Sequence, residues 1–240
     1  MKAMIFAAGL GTRLKPLTDT MPKALVPLAG KPLLQWQVEK LRDAGITDII
    51  VNVHHFPDMI IDTIRQNEGW RCNIMISDER EMLLDTGGGL KNALSSVTGN
   101  PSPLLACNVD ILSNIDVRAL IARYEQTGVS QLVVSERDTQ RYLCFDEQNT
   151  LCGWTNIATG EVKGRDGRHL AFSGMQILSP EVLSRLDEME QDKFSLIDFY
   201  LHLCEQNHTP LMAFVPQDYR MMDVGKIDQI AEAEAFAQRL

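Results

Sequence analysis

The sequence predicts an α/β fold: a Rossmann-like mixed, mainly parallel sheet flanked by helices, with an antiparallel extension. Two features of the 240-residue chain support this prediction. In the first half, short apolar runs alternate with segments of helical spacing, as in β-α-β units whose helices cover both faces of a parallel sheet. Beyond about residue 129, strand-like runs follow one another without helices between them, which indicates antiparallel pairing.

Four buried strands are predicted in the first half, because each run is short, apolar and followed by turn residues: KAMIFAA, TDIIVNVHH, CNIMIS and SPLLACNVD. Four helix candidates follow these strands in turn: PLLQWQVEKLRDAG, PDMIIDTIRQN, TGGGLKNALSSV and IDVRALIARYEQ. Gly45 is expected to cap the end of the first helix, and Pro57 and Asp58 lie in the first turn of the second. The third helix opens at a glycine cluster.

The second half is predicted to begin with four strands: SQLVVSE, YLCFD, TLCGWT and HLAFSGMQIL. The segment GEVKGRDGRH (160–169), which precedes the last of them, is expected to be a mobile loop. A helix (KFSLIDFYLHLCEQ), two strands (LMAFVP and YRMMDV) and a terminal helix (KIDQIAEAEAFAQRL) complete the chain. We expect one domain over residues 1–240, with a first half at 1–128 and a second half at 129–240.

The composition is that of an ordinary globular protein, with 45% hydrophobic and 23% charged residues. A net charge of −9 argues against a nucleic-acid partner, although positive groups that converge in one cleft can still bind anions. Five scattered cysteines without a CxxC pair suit a reducing cytosol and give no metal-site spacing. We find neither a signal peptide nor the ~18-residue apolar run of a membrane span, so a cytoplasmic location without a membrane partner is expected.

The stretch AAGLGTRLKPLT (7–18) follows the first strand and predicts a phosphate-binding loop. It lacks the third glycine of a dinucleotide fingerprint and the G-K-[ST] of a Walker loop. What remains is a loop that offers backbone N–H groups at Gly9, Gly11 and Thr12, with Arg13 beside them, which suits a polyphosphate. The alternative is a plain tight turn with surface cations. Lys23, between Pro22 and an apolar strand, favours the phosphate interpretation, because a fixed lysine can neutralise a reacting phosphate.

These residues resemble the N-terminal pattern of the sugar-1-phosphate nucleotidylyltransferases, G-x-G-T-R-x-x-P-x-T followed by P-K. Five further stretches match motifs of that family: LDTGGGL (84–90), CNVD (107–110), FSGMQIL (172–178), FSLID (194–198) and MMDVG (221–225). The resemblance covers essentially the whole chain and implies the nucleotide-diphospho-sugar transferase fold. Within the family, the short length and the TGGG stretch most resemble the cell-wall N-acetylmuramate-1-phosphate uridylyltransferase type. Mannose- and heptose-1-phosphate guanylyltransferases are close relatives.

The resemblance implies an enzyme that condenses a nucleoside triphosphate, with UTP favoured, and a sugar 1-phosphate into a nucleotide sugar and pyrophosphate. Positioning and charge neutralisation carry most of such chemistry, so Arg13 and Lys23 are the implied catalytic residues. The implied nucleotide-binding residues are Ala7, Ala8, Gly9, Gly11, Thr12, Arg13, Lys23, Thr86, Gly87 and Gly88. Two aspartates that follow strands, Asp110 and Asp223, are the implied ligands of a Mg²⁺ cofactor. Taken singly, either aspartate would more often be a turn or capping residue.

The resemblance makes residues 1–128 the nucleotide-binding half and residues 129–240 the sugar-binding half, which also contains the second metal aspartate. The sugar-binding half is expected to contribute Asn156, Glu161 and Gly174, together with Asn108 from the first half. Ser195 and Asp198 are further candidates. Arg137 and Arg141 are candidates for an anionic group of the sugar, or are solvated loop residues. The paired histidines His54 and His55 end a strand, so a turn role is preferred over a metal role.

The chain departs from the family pattern at two positions: Val109 replaces a glycine before the first aspartate, and Lys226 follows MDVG in place of threonine. Both departures leave the two carboxylates in place. A catalytically idle nucleotide-sugar sensor stays as the alternative of another class. A phosphocholine cytidylyltransferase is disfavoured, because no aromatic cage for a quaternary ammonium is evident. The expected partners are the two substrates, and a monomer or small homo-oligomer is expected.

Overall fold

A computed structural model describes residues 1–96, 102–206 and 209–240. Its strands are β1 (Lys2–Phe6), β2 (Pro27–Leu28), β3 (Lys31–Pro32), β4 (Asp48–Val53), β5 (Asn73–Asp78), β6 (Leu104–Asn108), β7 (Ile111–Ser113), β8 (Ser130–Ser135), β9 (Arg141–Phe145), β10 (Leu151–Asn156), β11 (Glu161–Gly164), β12 (Arg168–Leu178), β13 (Leu211–Phe214) and β14 (Met221–Asp223). Its α-helices are α1 (Leu33–Asp43), α2 (Pro57–Gln66), α3 (Asp85–Ser95), α4 (Val117–Thr127), α5 (Pro180–Leu183), α6 (Leu196–Gln206) and α7 (Ile230–Ala237). The predicted fold class is confirmed.

The main sheet has a parallel core in the order β6-β1-β4-β5. Beyond β6 the order continues as β12-β9-β10-β11, and every pair in that series is antiparallel. Strand β8 pairs antiparallel with β12 and parallel with β13. The change from parallel to antiparallel pairing is therefore the one that the loss of helical segments after residue 129 predicts.

Helices cover both faces of this sheet, because alternate residues of each strand point to opposite sides. Ala3 and Ile5 of β1 belong to one apolar cluster, with side chains from α1, α2, α4 and α7. Met4 and Phe6 belong to the other cluster, with side chains from α3, α5 and α6. In the described residues no helix is long and apolar enough to cross a membrane.

Two local predictions need correction. The segment 160–169 is not simply a loop: Glu161–Gly164 form β11, which pairs with β10, and β12 begins at Arg168. The glycine cluster lies inside α3 instead of preceding it, because the helix begins at Asp85. The last residue of that helix candidate, Val97, lies outside the described residues. The two-residue strands β2 and β3 and the three-residue strand β7 were not predicted, because each is too short to show a period.

The glycines of α3 allow a close approach between the helix and the chain just before α6. A Cβ on Gly87 would lie 2.4 Å from the ring of Phe194, and one on Gly88 would lie 2.1 Å from the Asp192 carbonyl oxygen. The N–H groups of Gly87 and Gly88 both donate to the Phe194 carbonyl, at 2.9 and 3.1 Å. The glycines therefore join the first half of the chain to the second.

Gly88→Ala is expected to destabilise the protein by about 2 kcal/mol, which lowers Tm by roughly 4–8 °C. In an ordinary helix interior the same change stabilises by about 1 kcal/mol, so the sign of the effect is diagnostic. Thermal unfolding measures it, with Ser95→Ala at the exposed end of α3 as the matched control. An unchanged or higher Tm for Gly88→Ala would contradict the close approach.

Candidate active site

A cavity of about 360 Å³ lies at the carboxyl ends of the parallel strands, where ligands bind in open α/β sheets. Its lining residues come from several segments of the chain: Phe6, Ala7, Ala8, Gly9, Lys23, Asn52, Leu83, Asp85, Thr86, Asn108, Val109, Asp110 and Lys193. Most lie at the ends of β1, β4 and β6 or directly after β1 and β6, which is why residues distant in sequence meet here. The volume exceeds that of a nucleobase and leaves room for its ribose.

The strand order gives this cavity two ends. Asp110 follows β6, Ala7–Gly9 follow β1, Asn52 lies on β4, and Leu83–Thr86 follow β5. The strands β6, β1, β4 and β5 lie side by side in that order, so Asp110 and the segment Leu83–Thr86 reach the cavity from different sides. A nucleotide laid along the edge would therefore have one end at Asp110 and the other at Leu83–Thr86.

The glycine loop is folded back on itself by local hydrogen bonds. Thr12–Leu14 form a 3-10 turn, and the hydroxyl of Thr18 donates to the Gly11 carbonyl at 2.8 Å. Gly11 has a φ of +64°, in the left-handed region that favours glycine. Gly11, Thr12 and Arg13 lie outside the lining of the cavity, whereas Gly9 is part of it.

Lys23 and Asp110 form an ion pair at one end of the cavity. Their side chains are only 11% and 16% exposed, so the pair is largely removed from water. Lys23 begins a 3-10 turn (Lys23–Leu25), and Asp110 is fixed through Val109, whose N–H donates to the Phe6 carbonyl at 3.2 Å. A charge held this firmly suits the neutralisation of a phosphate.

A short ribbon brings Asp223 beside Asp110. Strands β7 and β14 pair antiparallel, with Asp223 opposite Ile111, and the N–H of Val224 donates to the Asp110 carbonyl at 2.9 Å. Arg13 approaches from the glycine loop, where its Nη2 lies 3.8 Å from the Asp223 Oδ2. The four charged residues predicted for the reacting centre therefore lie in one cluster, linked by contacts between its members.

The residues of this cluster fit a divalent cation. Burial, followed by the nearby carboxylate of Asp110, raises the pKa of Asp223 above its ordinary value, although Lys23, Arg13 and Arg137 act in the opposite direction. The Oδ1 atom of Asp223 is buried and has no hydrogen-bond partner in the part of the chain that the structure describes. Two carboxylates that repel each other, one of them with an unpartnered oxygen, are a donor set of the hard oxygen type that Mg²⁺ prefers.

A buried chain of hydrogen bonds, which the sequence did not reveal, holds the cavity wall at Ala7; we call it the buried relay. The N–H of Ala7 donates to the Asn52 Oδ1 at 2.7 Å, and the Asn52 Nδ2 donates to the Glu79 Oε1 at 2.7 Å. Glu79 is only 3% exposed, and burial raises its pKa despite its hydrogen bonds from Asn52 and Leu84. A polar residue within the otherwise apolar strand IIVNV is the signal that could have identified Asn52.

Asn52→Ala is expected to raise KM for the nucleotide about tenfold and to lower Tm by roughly 4–8 °C. The change leaves the Ala7 N–H and the buried Glu79 carboxylate without their partner, at a cost of about 1–3 kcal/mol. Steady-state kinetics and thermal unfolding measure the two effects. Asn92→Ala on α3 is the control, and equal behaviour of the two variants would refute the relay.

At the other end of the cavity, Thr86 is part of the lining and Gly87 and Gly88 are not. Both glycines are buried against Phe194, so a contact between them and a base stays a prediction without support from the cavity. Asp85 and Lys193, which sequence reasoning missed, line this end instead. Lys193 was hidden because it lies more than a hundred residues further along the chain, within KFSLID.

The predicted sugar residues divide into two groups. Asn108 lines the cavity, and a Cβ on Gly174 would lie 2.9 Å from its Nδ2, so these two residues are adjacent. Gly174 has a φ of +69° at an irregularity of β12, which a side chain would strain. Arg137 is near Asp223, whose pKa it lowers, and it donates to the Phe172 carbonyl at 3.0 Å.

Asn156 and Glu161 do not line this cavity. The Asn156 side chain accepts from the N–H of Ala158 at 3.1 Å, and Glu161 is exposed on β11. The Ser195 hydroxyl and the Asp198 carboxylate are hydrogen-bonded at 2.7 Å in the first turn of α6, which is a helix-capping arrangement. Arg141 is exposed at the start of β9.

His54 and His55 hold the turn after β4. The His54 Nδ1 lies 2.7 Å from the Glu79 carbonyl oxygen, and the His55 Nε2 lies 3.1 Å from the Thr18 carbonyl oxygen. A carbonyl can only accept, so these nitrogens donate. The turn role preferred from the sequence agrees with these contacts.

The charged cluster beside a nucleotide-sized cavity at a sheet edge suits an enzyme that transfers nucleotidyl groups, and comparisons with known proteins identify that class. The family model for nucleotidyl transferases matches residues 2–239. The N-acetylmuramate alpha-1-phosphate uridylyltransferase of Neisseria meningitidis serogroup B is 32% identical over an alignment of 255 residues, gaps included. The alignment covers 99% of this chain and 98% of that protein. The mannose-1-phosphate guanyltransferase of Schizosaccharomyces pombe is 36% identical over 229 residues, or 91% of this chain but only 62% of its own.

Among solved structures, HddC from Yersinia pseudotuberculosis complexed with GMP-PN has a TM-score of 0.76 and 27% identity, and the match covers 98% of this chain and 99% of that one. The chain belongs to the nucleotidyl transferase family. It is an enzyme of the sugar-1-phosphate nucleotidyltransferase class.

Proposed function

We propose that the enzyme condenses UTP with N-acetylmuramate 1-phosphate to give the UDP-sugar and pyrophosphate. The observation that carries the choice of base and sugar is the match to the Neisseria enzyme over nearly the full length of both chains. The match to the mannose-1-phosphate guanyltransferase leaves more than a third of that relative uncovered. The reaction class itself is supported by the cluster of Arg13, Lys23, Asp110 and Asp223.

The reaction is an attack by an oxygen of the sugar 1-phosphate on the α-phosphorus of the triphosphate. The new P–O bond forms as the bond between the α-phosphorus and the bridging oxygen breaks, and pyrophosphate leaves with that electron pair. Negative charge grows on the leaving oxygen, so fixed positive charge near it accelerates the step. Lys23 is held where it can serve that purpose, because its neighbours leave it little conformational freedom.

The glycine loop would hold the outer phosphates. In this proposal the N–H groups of Gly11 and Thr12 and the guanidinium of Arg13 bind the β- and γ-phosphates. Asp110 and Asp223 would hold Mg²⁺, which supplies neutralisation of phosphate charge when it is bound. Ala7, Ala8 and Gly9 are small, so a base and ribose can lie against their backbone. Residues 1–128 thus serve mainly the nucleotide and residues 129–240 mainly the sugar, with Asn108, Lys193 and the metal ligand Asp223 as exceptions.

A guanylyltransferase that acts on mannose or heptose 1-phosphate is the second candidate. It is favoured by the 36% identity to the Schizosaccharomyces pombe enzyme and by the GMP-PN complex of HddC. A sensor without turnover is disfavoured, since a binding module has no need of the complete charged cluster.

One panel decides among these possibilities: four nucleoside triphosphates against N-acetylmuramate, mannose, heptose and glucose 1-phosphates, with Mg²⁺ present. Pyrophosphate release and the mass of the product are measured. Highest kcat/KM with UTP and N-acetylmuramate 1-phosphate is the expected result. A preference for GTP and mannose or heptose 1-phosphate would establish the second candidate instead.

A further inference from the structure

We propose that Asp85 and Lys193 form a donor–acceptor pair that reads the edge of the nucleobase and selects a base with a ring carbonyl beside a ring N–H. Uracil, thymine and guanine have such an edge, whereas cytosine and adenine present an amino group beside an unprotonated nitrogen. The inference rests on the proposed function, because it assigns the base end of the same site. It adds two residues that the sequence motifs did not include.

The position of the pair follows from the sheet. Asp110 and Lys23 lie at the β6 end of the cavity, and Asp85 and Lys193 line it together with Leu83 and Thr86, which follow β5. If the triphosphate lies at the charged cluster, the base extends past Ala8 toward this second pair of charges in the same cavity.

Lys193 is held at the cavity although it belongs to the second half of the chain. The next residue, Phe194, accepts hydrogen bonds from the N–H groups of Gly87 and Gly88, and its own N–H donates to the Leu84 carbonyl at 3.3 Å. The N–H of Leu196 donates to the Thr86 hydroxyl at 3.0 Å. These bonds fix the backbone directly after the lysine, so its side chain starts from a defined point at the rim.

Asp85 is fixed in a similar way. Its backbone has a φ of +62°, an uncommon conformation for a residue with a side chain, and strain of this kind concentrates at functional sites. One carboxylate oxygen accepts the N–H of Thr86 at 2.6 Å, which sets the direction of the side chain. The second oxygen stays available to accept a hydrogen bond from a ligand.

The charges of the pair are suited to a ligand. Within the described part of the chain, no carboxylate lies within 4.0 Å of the Lys193 ammonium, so it does not form an ion pair with Asp85. An ammonium can only donate and a carboxylate can only accept. A ring carbonyl next to a ring N–H satisfies both groups at once, because the carbonyl accepts from Lys193 and the N–H donates to Asp85. In the same position, the amino group of cytosine or adenine would face the Lys193 ammonium, donor against donor. The unprotonated ring nitrogen would face the Asp85 carboxylate, acceptor against acceptor.

The test compares UTP with CTP and GTP with ATP, pairs that differ chiefly at this edge. Lys193→Met is expected to reduce the preference for the carbonyl base, as the ratio of kcat/KM values, by about tenfold or more. Asp85→Asn is expected to reduce the same ratio, because an amide both donates and accepts. Lys193→Arg should retain most of the preference. Lys91→Met, which removes a positive charge from the far side of α3, is the control and should leave the ratio unchanged.

Equilibrium binding of the same four nucleotides, by calorimetry, separates this inference from the proposed function. A protein that binds UTP more tightly than CTP but releases no pyrophosphate would refute the proposed function and still test the pair through Lys193→Met. If Lys193→Met and Asp85→Asn both keep the wild-type ratio in binding and in turnover, the pair does not read the base.

Discussion

Replacing either Asp110 or Asp223 by asparagine is expected to lower kcat/KM by about 10³-fold, equivalent to roughly 4 kcal/mol of transition-state stabilisation. The reason lies in the geometry: the two carboxylates are brought together by the β7–β14 ribbon, and the buried Oδ1 of Asp223 has no hydrogen-bond partner among the described residues. An amide cannot supply the second negative charge that a divalent cation needs. Steady-state pyrophosphate release at saturating Mg²⁺ measures the loss.

Stability should respond differently from activity in these two variants. Asp223→Asn removes a charge that burial and Asp110 disfavour, so without Mg²⁺ its Tm should equal or exceed that of the wild type. Asp110→Asn removes the partner of Lys23 and should not share this gain. Asp62→Asn on the exposed surface of α2 is the control for both. Activity within a few-fold of wild type in either variant would refute the assignment of that aspartate to the metal.

Lys23→Met is expected to reduce kcat about 10²- to 10³-fold, because it removes the fixed positive charge that we propose neutralises the reacting phosphate. The variant should also be less stable by about 1–3 kcal/mol, since Asp110 is left largely buried without its partner. Rapid-quench or steady-state kinetics and chemical denaturation measure the two effects. Lys31→Met, in the same segment but outside the cavity, serves as the control.

A double variant separates the two roles of Lys23. Combining Lys23→Met with Asp110→Asn should restore much of the lost stability, because the unpaired charge is gone, but none of the activity. Activity restored in the double variant would contradict the assignment of Asp110 to the metal, because that variant lacks the carboxylate.

The parallel half of the fold is visible in the sequence because its strands and helices are long enough to show their periods. The contact between Asp110 and Asp223 is different: the resemblance implied it, but the ribbon that creates it consists of two three-residue strands about 110 positions apart. The later strand lies within the predicted strand YRMMDV, whereas its partner Ile111–Ser113 is too short to show a period. Their pairing is a tertiary event that local patterns do not encode.

The glycine cluster shows a second limit. The resemblance assigned Thr86, Gly87 and Gly88 of TGGG to the nucleotide, and it did not reveal that Gly87 and Gly88 make the contact between α3 and Phe194. That contact, in turn, places Lys193 at the cavity. Lys193 lines the cavity because its neighbour Phe194 packs against α3, and a placement of this kind leaves no motif in the sequence.

The asparagine and the glutamate of the buried relay are a third case. Asn52 interrupts an apolar strand, which is a visible anomaly, but its partner Glu79 follows a different strand and looks like one more charge in SDERE. Burial distinguishes it from its exposed neighbours, and burial of a single charged residue in a polar run is not readable from composition.

The most direct test of the central claim follows the fate of the phosphates in a single reaction. The enzyme is given its preferred sugar 1-phosphate and Mg²⁺ with a nucleoside triphosphate labelled at the α-phosphate, and in a parallel reaction at the γ-phosphate. Attack on the α-phosphorus predicts that the α label appears in the nucleotide sugar and the γ label in pyrophosphate, in equal amounts. A γ label on the sugar, or tight binding of both substrates without any pyrophosphate, would contradict the account.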